Sequence, residues 1–274
     1  MSFGLALQIT FIKQLQYLST CNTLYINVDY ISMEKVIMNI ALISAGGKGQ
    51  RMNKDVPKQF LTVDGKPIII YTLETFEKHP EIDAIYVICI SGWEKTLEAY
   101  AKQFKITKLK SIVEGGETGF LSIKNGVYAV AKDYKPTDLV LVHDAIRPML
   151  SGEIISANIA TCKKMGNAVT AIPAVEVMLF SDDGKISSNK SVDRNKLART
   201  QTPQTFKIAD FVDAYKMAEE KGITDSIAPC SLMTDLGRTV YFCDGSEKNL
   251  KLTTIDDIDI FYALLNCKKS GTVK

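Results

Sequence analysis

From residue 38 onward, short apolar runs alternate with stretches whose apolar residues recur at helical spacing. Ile40 to Ile43, Ala84 to Ile90, Asp138 to Val142 and Asn167 to Ile172 are apolar runs of strand length, with Ser111 to Val113 a shorter one. Strands buried on both faces read this way, because neither face has to be polar. Between them, Pro67 to His79 places apolar residues at 68, 69, 70, 73 and 76, the stripe of an amphipathic helix. Trp93 to Phe104, Phe120 to Lys132, Ser151 to Met165, Ile208 to Lys221, Ser226 to Leu236 and Thr254 to Asn266 read as further helices, and Thr239 to Cys243 as a further strand. Ser151 stands at an N-cap position, with Glu153 in the first turn after it. The alternation predicts an α/β fold, a mostly parallel, Rossmann-like sheet with helices on both faces.

One interruption breaks this order. After Pro173, the segments Val175 to Phe180 and Lys185 to Asp193 flank Ser181-Asp182-Asp183-Gly184, whose Asp-Gly is a hairpin turn signal. A β-hairpin arm, at about residues 174–200, is expected to project from the body and to embrace a second subunit. Residues 1–37 do not continue the pattern. Phe3 to Leu18 is mildly apolar but carries Gln8, Lys13, Gln14 and Gln16, too short and polar to span a bilayer. Three readings stand for 1–37: an upstream start with Met33 or Met38 as the true first residue, which the strand signal right after Met38 favours; a poor signal or anchor segment; or an N-terminal extension of the family. Residues 38–270 are read as one domain.

Composition narrows the function classes. The 274 residues include 33 Lys and Arg against 31 Asp and Glu, so there is no electrostatic footprint for nucleic acid. No stretch argues for membrane insertion. The six cysteines are scattered without a C-x-x-C pair, and Cys89 lies inside an apolar run, which points to reduced, buried thiols in a cytoplasmic protein. His79 and His143 are the two histidines, too far apart in sequence for a closely spaced metal pair.

The candidate chemistry begins directly after the first apolar run. Ala45-Gly46-Gly47-Lys48-Gly49-Gln50-Arg51-Met52 is followed by Pro57-Lys58-Gln59. Glycines after a strand let the backbone come close to a phosphate chain, since no Cβ blocks the approach. Arg51 and Lys58 can then neutralise its charge. The run is not a dinucleotide fingerprint, because G-x-G-x-x-G counted from Gly47 ends on Met52, and no Walker loop occurs. A nicotinamide dehydrogenase is thereby disfavoured. Three more stretches fall at or near strand ends, where open α/β sheets bind ligands. They are Glu114-Gly115-Gly116-Glu117 leading to Ser122, Val142 to Pro148 with Asp144 and Arg147, and Asn249 to Thr254 with Lys251. Each has a plainer reading alone: Asp144 and Arg147 as a loop ion pair, Lys251 as a solvated lysine, His143 as a packed histidine rather than a base.

Taken together and in order, these blocks carry a resemblance. The opening loop resembles that of the sugar-phosphate nucleotidyltransferases. The whole series, with Val192-Asp193-Arg194-Asn195-Lys196-Leu197 and Ala198 to Phe206 added, is similar to the 2-C-methyl-D-erythritol 4-phosphate cytidylyltransferases and to their relatives, the ribitol 5-phosphate cytidylyltransferases. The match covers about residues 38 to 267. The resemblance implies a nucleotidyltransferase-type fold and a homodimer joined through the arm. It also implies transfer of CMP from CTP to a polyol phosphate, with Mg²⁺ and release of pyrophosphate. It would give Ala45, Gly46, Gly47, Gly49, Gly116, Glu117, Ser122, Asp144 and Ala145 to the nucleotide, and Arg51 and Lys58 to catalysis. Arg147, Ser191 and Lys251 would go to the acceptor, and Asp144 to the metal as well.

Two positions depart from the pattern. The erythritol-phosphate enzymes usually carry [RK]-D-T in the arm, where this chain has Val175-Glu176-Val177, and Gly119 stands where an Arg is common. The acceptor therefore stays open between 2-C-methyl-D-erythritol 4-phosphate, D-ribitol 5-phosphate and another polyol or sugar phosphate of surface polysaccharide synthesis. A non-catalytic nucleotide-binding relative is the reading outside enzymes, and intact Arg51, Lys58, Asp144 and Lys251 argue against it.

Overall fold

The computed structural model describes residues 37–47, 56–182, 184 and 186–270. In chain order the strands begin with β1 (Asn39–Ala45), β2 (Thr62–Val63), β3 (Lys66–Pro67), β4 (Ala84–Cys89) and β5 (Leu109–Glu114). They continue with β6 (Leu139–Asp144), β7 (Asn167–Pro173), β8 (Met178–Phe180), β9 (Lys190–Val192), β10 (Ala198–Lys207) and β11 (Phe242–Asp244). The helices are α1 (Ile68–Lys78), α2 (Glu94–Gln103), α3 (Gly119–Asp133), α4 (Gly152–Met165), α5 (Ile208–Glu220), α6 (Pro229–Asp235) and α7 (Ile255–Ser270). A seven-stranded sheet in the order β11-β7-β10-β6-β1-β4-β5 forms the centre. All its pairings are parallel except those of β10, which runs antiparallel to both β6 and β7.

The apolar runs divide between two layers because successive side chains of a strand point to opposite faces. Ala41, Ile43 and Ala45 of β1 face one side with Ile85, Val87, Leu139 and Leu141, under Leu73 and Phe76 of α1, Leu97 of α2 and Ile155 of α4. Ile40 and Leu42 face the other side with Tyr86, Ile88, Val140 and Val142, under Val127 of α3, Phe211 and Tyr215 of α5 and Leu232 of α6. The stripe read in Pro67 to His79 is the buried face of α1: Ile68, Ile69, Ile70, Leu73 and Phe76 are all sealed. Glycine at 126 brings α3 down onto the sheet. A Cβ there would lie 2.8 Å from Ile88 and Leu42 side-chain carbons, closer than packed atoms approach. The N-terminus of α3, which carries Ser122, is thus drawn toward the ends of β1 and β4.

The structure corrects the sequence reading in several places. β10 is ten residues long yet carries no strand signal in the sequence, because it is largely polar and contains Pro203. Proline removes a ladder hydrogen bond and demotes a run as a central strand. The sheet accommodates it with a register shift between Thr200 and Gln204 and a cis Thr202–Pro203 bond. The arm pairs over only three residues a side, Met178 to Val192, Leu179 to Ser191 and Phe180 to Lys190. The Asp183-Gly184 turn read from sequence falls partly outside the described residues, since Asp183 and Lys185 are not among them. The helix expected over Ser226 to Leu236 starts only at Pro229. Ser151 does occupy the N-cap of α4, but its side chain makes no capping hydrogen bond. β2 and β3 form a small antiparallel pair that the pattern did not suggest.

Candidate active site

A cavity of about 550 Å³ opens where β1, β5 and β6 end. Ser44, Ala45, Gly46 and Gly47 wall it from the end of β1, and Asp144 and Ile146 from the end of β6. Gly116, Glu117, Thr118, Gly119 and Ser122 close it from the β5–α3 junction, with Lys58, Gln59 and Lys251 on the remaining sides. Strands of an open α/β sheet leave their crevice at this end, where the connections diverge.

Local chemistry holds each wall in place. Thr118 caps α3, accepting from Leu121 N at 3.1 Å. Ser122 Oγ accepts from Gly116 N at 2.9 Å and reaches Gly116 O at 3.3 Å, so the hydroxyl fixes the glycine bend from within. A Cβ at Gly116 would lie 2.6 Å from Leu121 Cβ, and one at Gly46 would lie 3.3 Å from Ser122 Oγ. The two glycine loops touch through Ser122, and bare backbone is what allows it. On the opposite wall, Lys58 opens a short 3-10 turn, Lys58–Phe60. Phe60 anchors that turn by stacking on Trp93 at 4.7 Å. Gln59 is 1% exposed, and its Nε2 donates to Ala45 O at 2.6 Å and Gly47 O at 3.3 Å. It ties the P-K-Q segment to the glycine loop.

Asp144 is the electrostatic hub. Arg147 Nε donates to its Oδ2 at 3.0 Å, and Lys251 Nζ lies 3.1 Å from Oδ2 and 3.2 Å from Oδ1. Burial alone would raise its carboxyl pKa, but Lys251, Arg147 and the bond from Arg147 outweigh it and hold the group below its usual range. Arg147 Nη1 also donates to Asn249 O at 2.7 Å, and Leu252 N to Ile146 O at 2.9 Å, which seats the loop carrying Lys251. His143 is fully buried beneath this hub. Its Nε2 faces Arg147 O at 3.3 Å, an acceptor, so Nε2 carries the proton. Nδ1 then accepts from Thr202 Oγ at 3.0 Å, and that oxygen accepts from Asp144 N at 3.1 Å. Burial pushes the imidazole pKa down to about 4, so His143 is a neutral strut and not a base. The reading of His143 as a packed histidine agrees with this.

Of the residues singled out from sequence, Ala45, Gly46, Gly47, Lys58, Gly116, Glu117, Ser122, Asp144 and Lys251 line one cavity. Arg147 lines a neighbouring cavity and supports Asp144. Ala145 does not reach the wall. It is wholly buried, with its N–H on Ser44 O and its carbonyl accepting from Thr72 Oγ. Ser191 stands on β9 in the arm and lines neither cavity. Gly49 and Arg51 lie outside the described residues. Gln59, Ser44, Thr118 and Ile146 were not assigned roles from sequence. Gln59 alone carried a hint, standing inside the P-K-Q run.

The model of the 2-C-methyl-D-erythritol 4-phosphate cytidylyltransferase family matches residues 39–266. A ribitol-5-phosphate cytidylyltransferase of Lacticaseibacillus paracasei is 43% identical over 234 residues, 85% of this chain and 100% of that protein. A 2-C-methyl-D-erythritol 4-phosphate cytidylyltransferase of Clostridium acetobutylicum is 38% identical over 241 residues, 86% of this chain and 100% of its own length. Among solved structures, a 4-diphosphocytidyl-2C-methyl-D-erythritol synthase superimposes with a TM-score of 0.71 at 26% identity, covering 84% of this chain and 99% of that one. The chain belongs to the 2-C-methyl-D-erythritol 4-phosphate cytidylyltransferase family and to its enzyme class, the CTP-dependent nucleotidyltransferases.

Proposed function

We propose that this chain transfers CMP from CTP to D-ribitol 5-phosphate and releases pyrophosphate. The observation that carries the reading is the cavity itself, in which a bare glycine backbone, Lys58 and the Lys251–Asp144 pair converge at three strand ends. An oxygen of the acceptor phosphate attacks the α-phosphorus of CTP, a P–O bond forms, and the bond to the β-phosphate breaks. The nucleophile is a phosphate monoester that is largely dianionic near neutral pH, so no residue has to remove a proton from it. That suits a site whose histidine is sealed in the neutral form. The work left to the protein is in-line positioning and charge neutralisation. Lys58 and Arg51 take the phosphates, Gly46, Gly47 and Gly116 admit the nucleotide, and Lys251 with Arg147 meets the acceptor.

Mg²⁺ is compatible with the donor set. Among the described residues no cluster of three His, Cys, Asp or Glu side chains exists, so a protein cage is absent there. Asp144 offers one carboxylate at the cavity wall. Magnesium at nucleotide sites is commonly held by one or two carboxylates plus substrate phosphates. When bound it supplies charge neutralisation across the phosphate oxygens.

D-Ribitol 5-phosphate is favoured over 2-C-methyl-D-erythritol 4-phosphate by the arm. Val175 is 55% exposed and Val177 81% exposed, and neither offers an acceptor phosphate a charge. The 43% and 41% identical relatives named above and from Streptococcus agalactiae are ribitol-5-phosphate enzymes. The same arm supports a homodimer. Val177, Leu179, Phe180 and Ile186 leave apolar surface exposed on a two-stranded hairpin, which is marginal alone. Seated on a second copy, the arm would carry Ser191 toward that copy's acceptor. A cytoplasmic setting fits the free thiols of Cys89, Cys162 and Cys230. No described helix is long and apolar enough to cross a membrane.

The test is pyrophosphate release with CTP, Mg²⁺ and each acceptor in parallel. Faster turnover of ribitol 5-phosphate is expected. Preference for methylerythritol 4-phosphate overturns the acceptor, and silence with both overturns the polyol-phosphate reading.

A further inference from the structure

A second cavity of about 300 Å³ adjoins the first, and Lys251 lines both. Strand β10 contributes Arg199, Thr200 and Gln201, and the β11–α7 loop contributes Glu247 and Leu250. Arg147 closes it on the side of Asp144. The transfer chemistry above gives Arg199 and Glu247 nothing to do, yet they face each other, Arg199 Nη1 lying 3.1 and 3.3 Å from the two Glu247 oxygens.

The walls are held from behind. Gln201 is 5% exposed, with Nε2 donating to Ser246 O at 2.8 Å and Oε1 accepting from Ser246 N at 3.3 Å and Asn249 Nδ2 at 3.2 Å. These bonds staple β10 to the loop that carries Glu247. At Gly245 a Cβ would lie 2.6 Å from Gln201 Oε1, so a side chain there would push the Gln201 amide off these bonds. Asp257, at the far wall, accepts from Thr253 N at 2.7 Å, Thr253 Oγ at 2.8 Å and Thr254 N at 2.7 Å. A frame fixed this way is preorganised, and preorganisation lowers the ordering penalty of binding.

Its chemistry points to hydroxyl groups. Cations at Arg147, Arg199 and Lys251 stand against carboxylates at Glu247 and Asp257. A site for a second phosphate would concentrate uncompensated cations. An apolar ligand would find only Ile172 and Leu250. A hydroxyl both donates and accepts, and fixed donors beside fixed acceptors are its complement. We propose that this cavity takes the hydroxylated carbon chain of the acceptor, its phosphate held at Lys251, and that Arg199 and Glu247 read the hydroxyls farthest from that phosphate. The inference rests on the polyol-phosphate reading above and adds the residues that set its selectivity. No bond is made or broken in this cavity.

The experiment is steady-state pyrophosphate release by Arg199→Ala, Glu247→Ala and the charge swap Arg199→Glu/Glu247→Arg, each with a thermal melt. Loss of a charge-assisted hydrogen bond at a half-exposed wall should raise KM for ribitol 5-phosphate roughly tenfold. KM for CTP and kcat at saturating acceptor should stay within about twofold, because uniform binding alone is lost. The preference for ribitol 5-phosphate over methylerythritol 4-phosphate should narrow in the same variants. If the pair only staples the loop, the swap restores KM for the acceptor, and that overturns the proposal. A KM that stays raised in a swap with an unchanged melt supports it. Wild-type protein that turns over ribitol 5-phosphate while all variants match it sinks this subsite alone. Wild-type protein inactive with both acceptors sinks the parent reading instead.

Discussion

Replacing Gln59 tests whether the glycine loop is held in place from outside itself. Its side chain is buried, donates to the carbonyls of Ala45 and Gly47, and forms part of the cavity wall. Gln59→Met keeps the length and most of the volume but removes both donors. Leaving a buried carbonyl unsatisfied costs about 1–3 kcal/mol. Of the two bonds, the one to Ala45 O at 2.6 Å is the shorter, and the one to Gly47 O at 3.3 Å is marginal. A net effect of about 2 kcal/mol is therefore expected, roughly a thirtyfold change in an equilibrium constant. Gly47 sits on the cavity wall, so the change should fall on nucleotide affinity, as a raised KM for CTP with a smaller fall in kcat. Gln59→Glu should be worse near neutral pH, since a carboxylate would face two carbonyl oxygens and donate to neither. The assays are CTP titration of pyrophosphate release and calorimetric CTP binding, with a thermal melt alongside. A normal KM for CTP in a stably folded Gln59→Met protein would refute the reasoning, for it would mean the loop holds its shape without the tether.

Three further outcomes follow from the same geometry. Lys58→Ala should cut kcat by two to three orders of magnitude, on the order of what removing one transition-state donor does elsewhere; CTP binding should weaken far less, and an unchanged kcat would remove Lys58 from the chemistry. Stability should fall with pH between 6.5, the ordinary histidine value, and about 4, the folded value of His143. The unfolded chain binds the proton there and the native one does not, a difference of roughly 3 kcal/mol. Denaturant melts at stepped pH should show a slope that His143→Gln flattens, and an equal slope in that variant would reject the assignment. Asp144→Asn removes the charge that holds Lys251 and Arg147, and should raise KM for the acceptor more than KM for CTP, read by varying each substrate in turn.

The sheet was legible in the sequence wherever both of its faces are covered. Ile40 to Ile43 and Ala84 to Ile90 read as strands because α1, α3 and their neighbours bury them on both sides, leaving no polar positions to blur the run. β10 was hidden for the opposite reason. Its buried residues include Gln201, Thr202, Gln204 and Thr205, whose polar atoms are satisfied by partners distant in sequence, such as Asn249 for Gln201 and Cys230 N for Gln204. Burial by tertiary hydrogen bonding leaves no trace in local hydropathy. The cavity followed the same rule. Glycines and charges at strand ends announce themselves, so Gly46, Gly116, Asp144 and Lys251 were found. Gln59 and Thr202 act through bonds to backbone and histidine, and a lone polar letter carries no sign of such a partner. Ala145 erred the other way, because it stands beside Asp144 in sequence while its backbone is tied to Ser44 and Thr72.

The electrostatic arrangement also explains what Asp144 does between Lys251 and Arg147. Lys251 is 43% exposed and its stem is long, so alone it would sample many rotamers and have to be ordered when substrate arrived. Asp144 removes that freedom beforehand, holding Lys251 Nζ at 3.1 Å and Arg147 Nε at 3.0 Å. His143 and Thr202 in turn fix the backbone of Asp144, so the cations inherit the rigidity of the sheet. Because Lys251 and Arg147 hold the Asp144 carboxyl below its usual range, the arrangement does not depend on pH where the acceptor phosphate is dianionic. The partial neutralisation by Asp144 lowers the attraction for any single phosphate, and that is the useful consequence. In the proposed reaction the cytidylylated product must leave Lys251 and Arg147, and bare cations there would hold it as tightly as the transition state. Groups preoriented but half-compensated favour the state with the most developed charge, which is where stabilisation raises turnover.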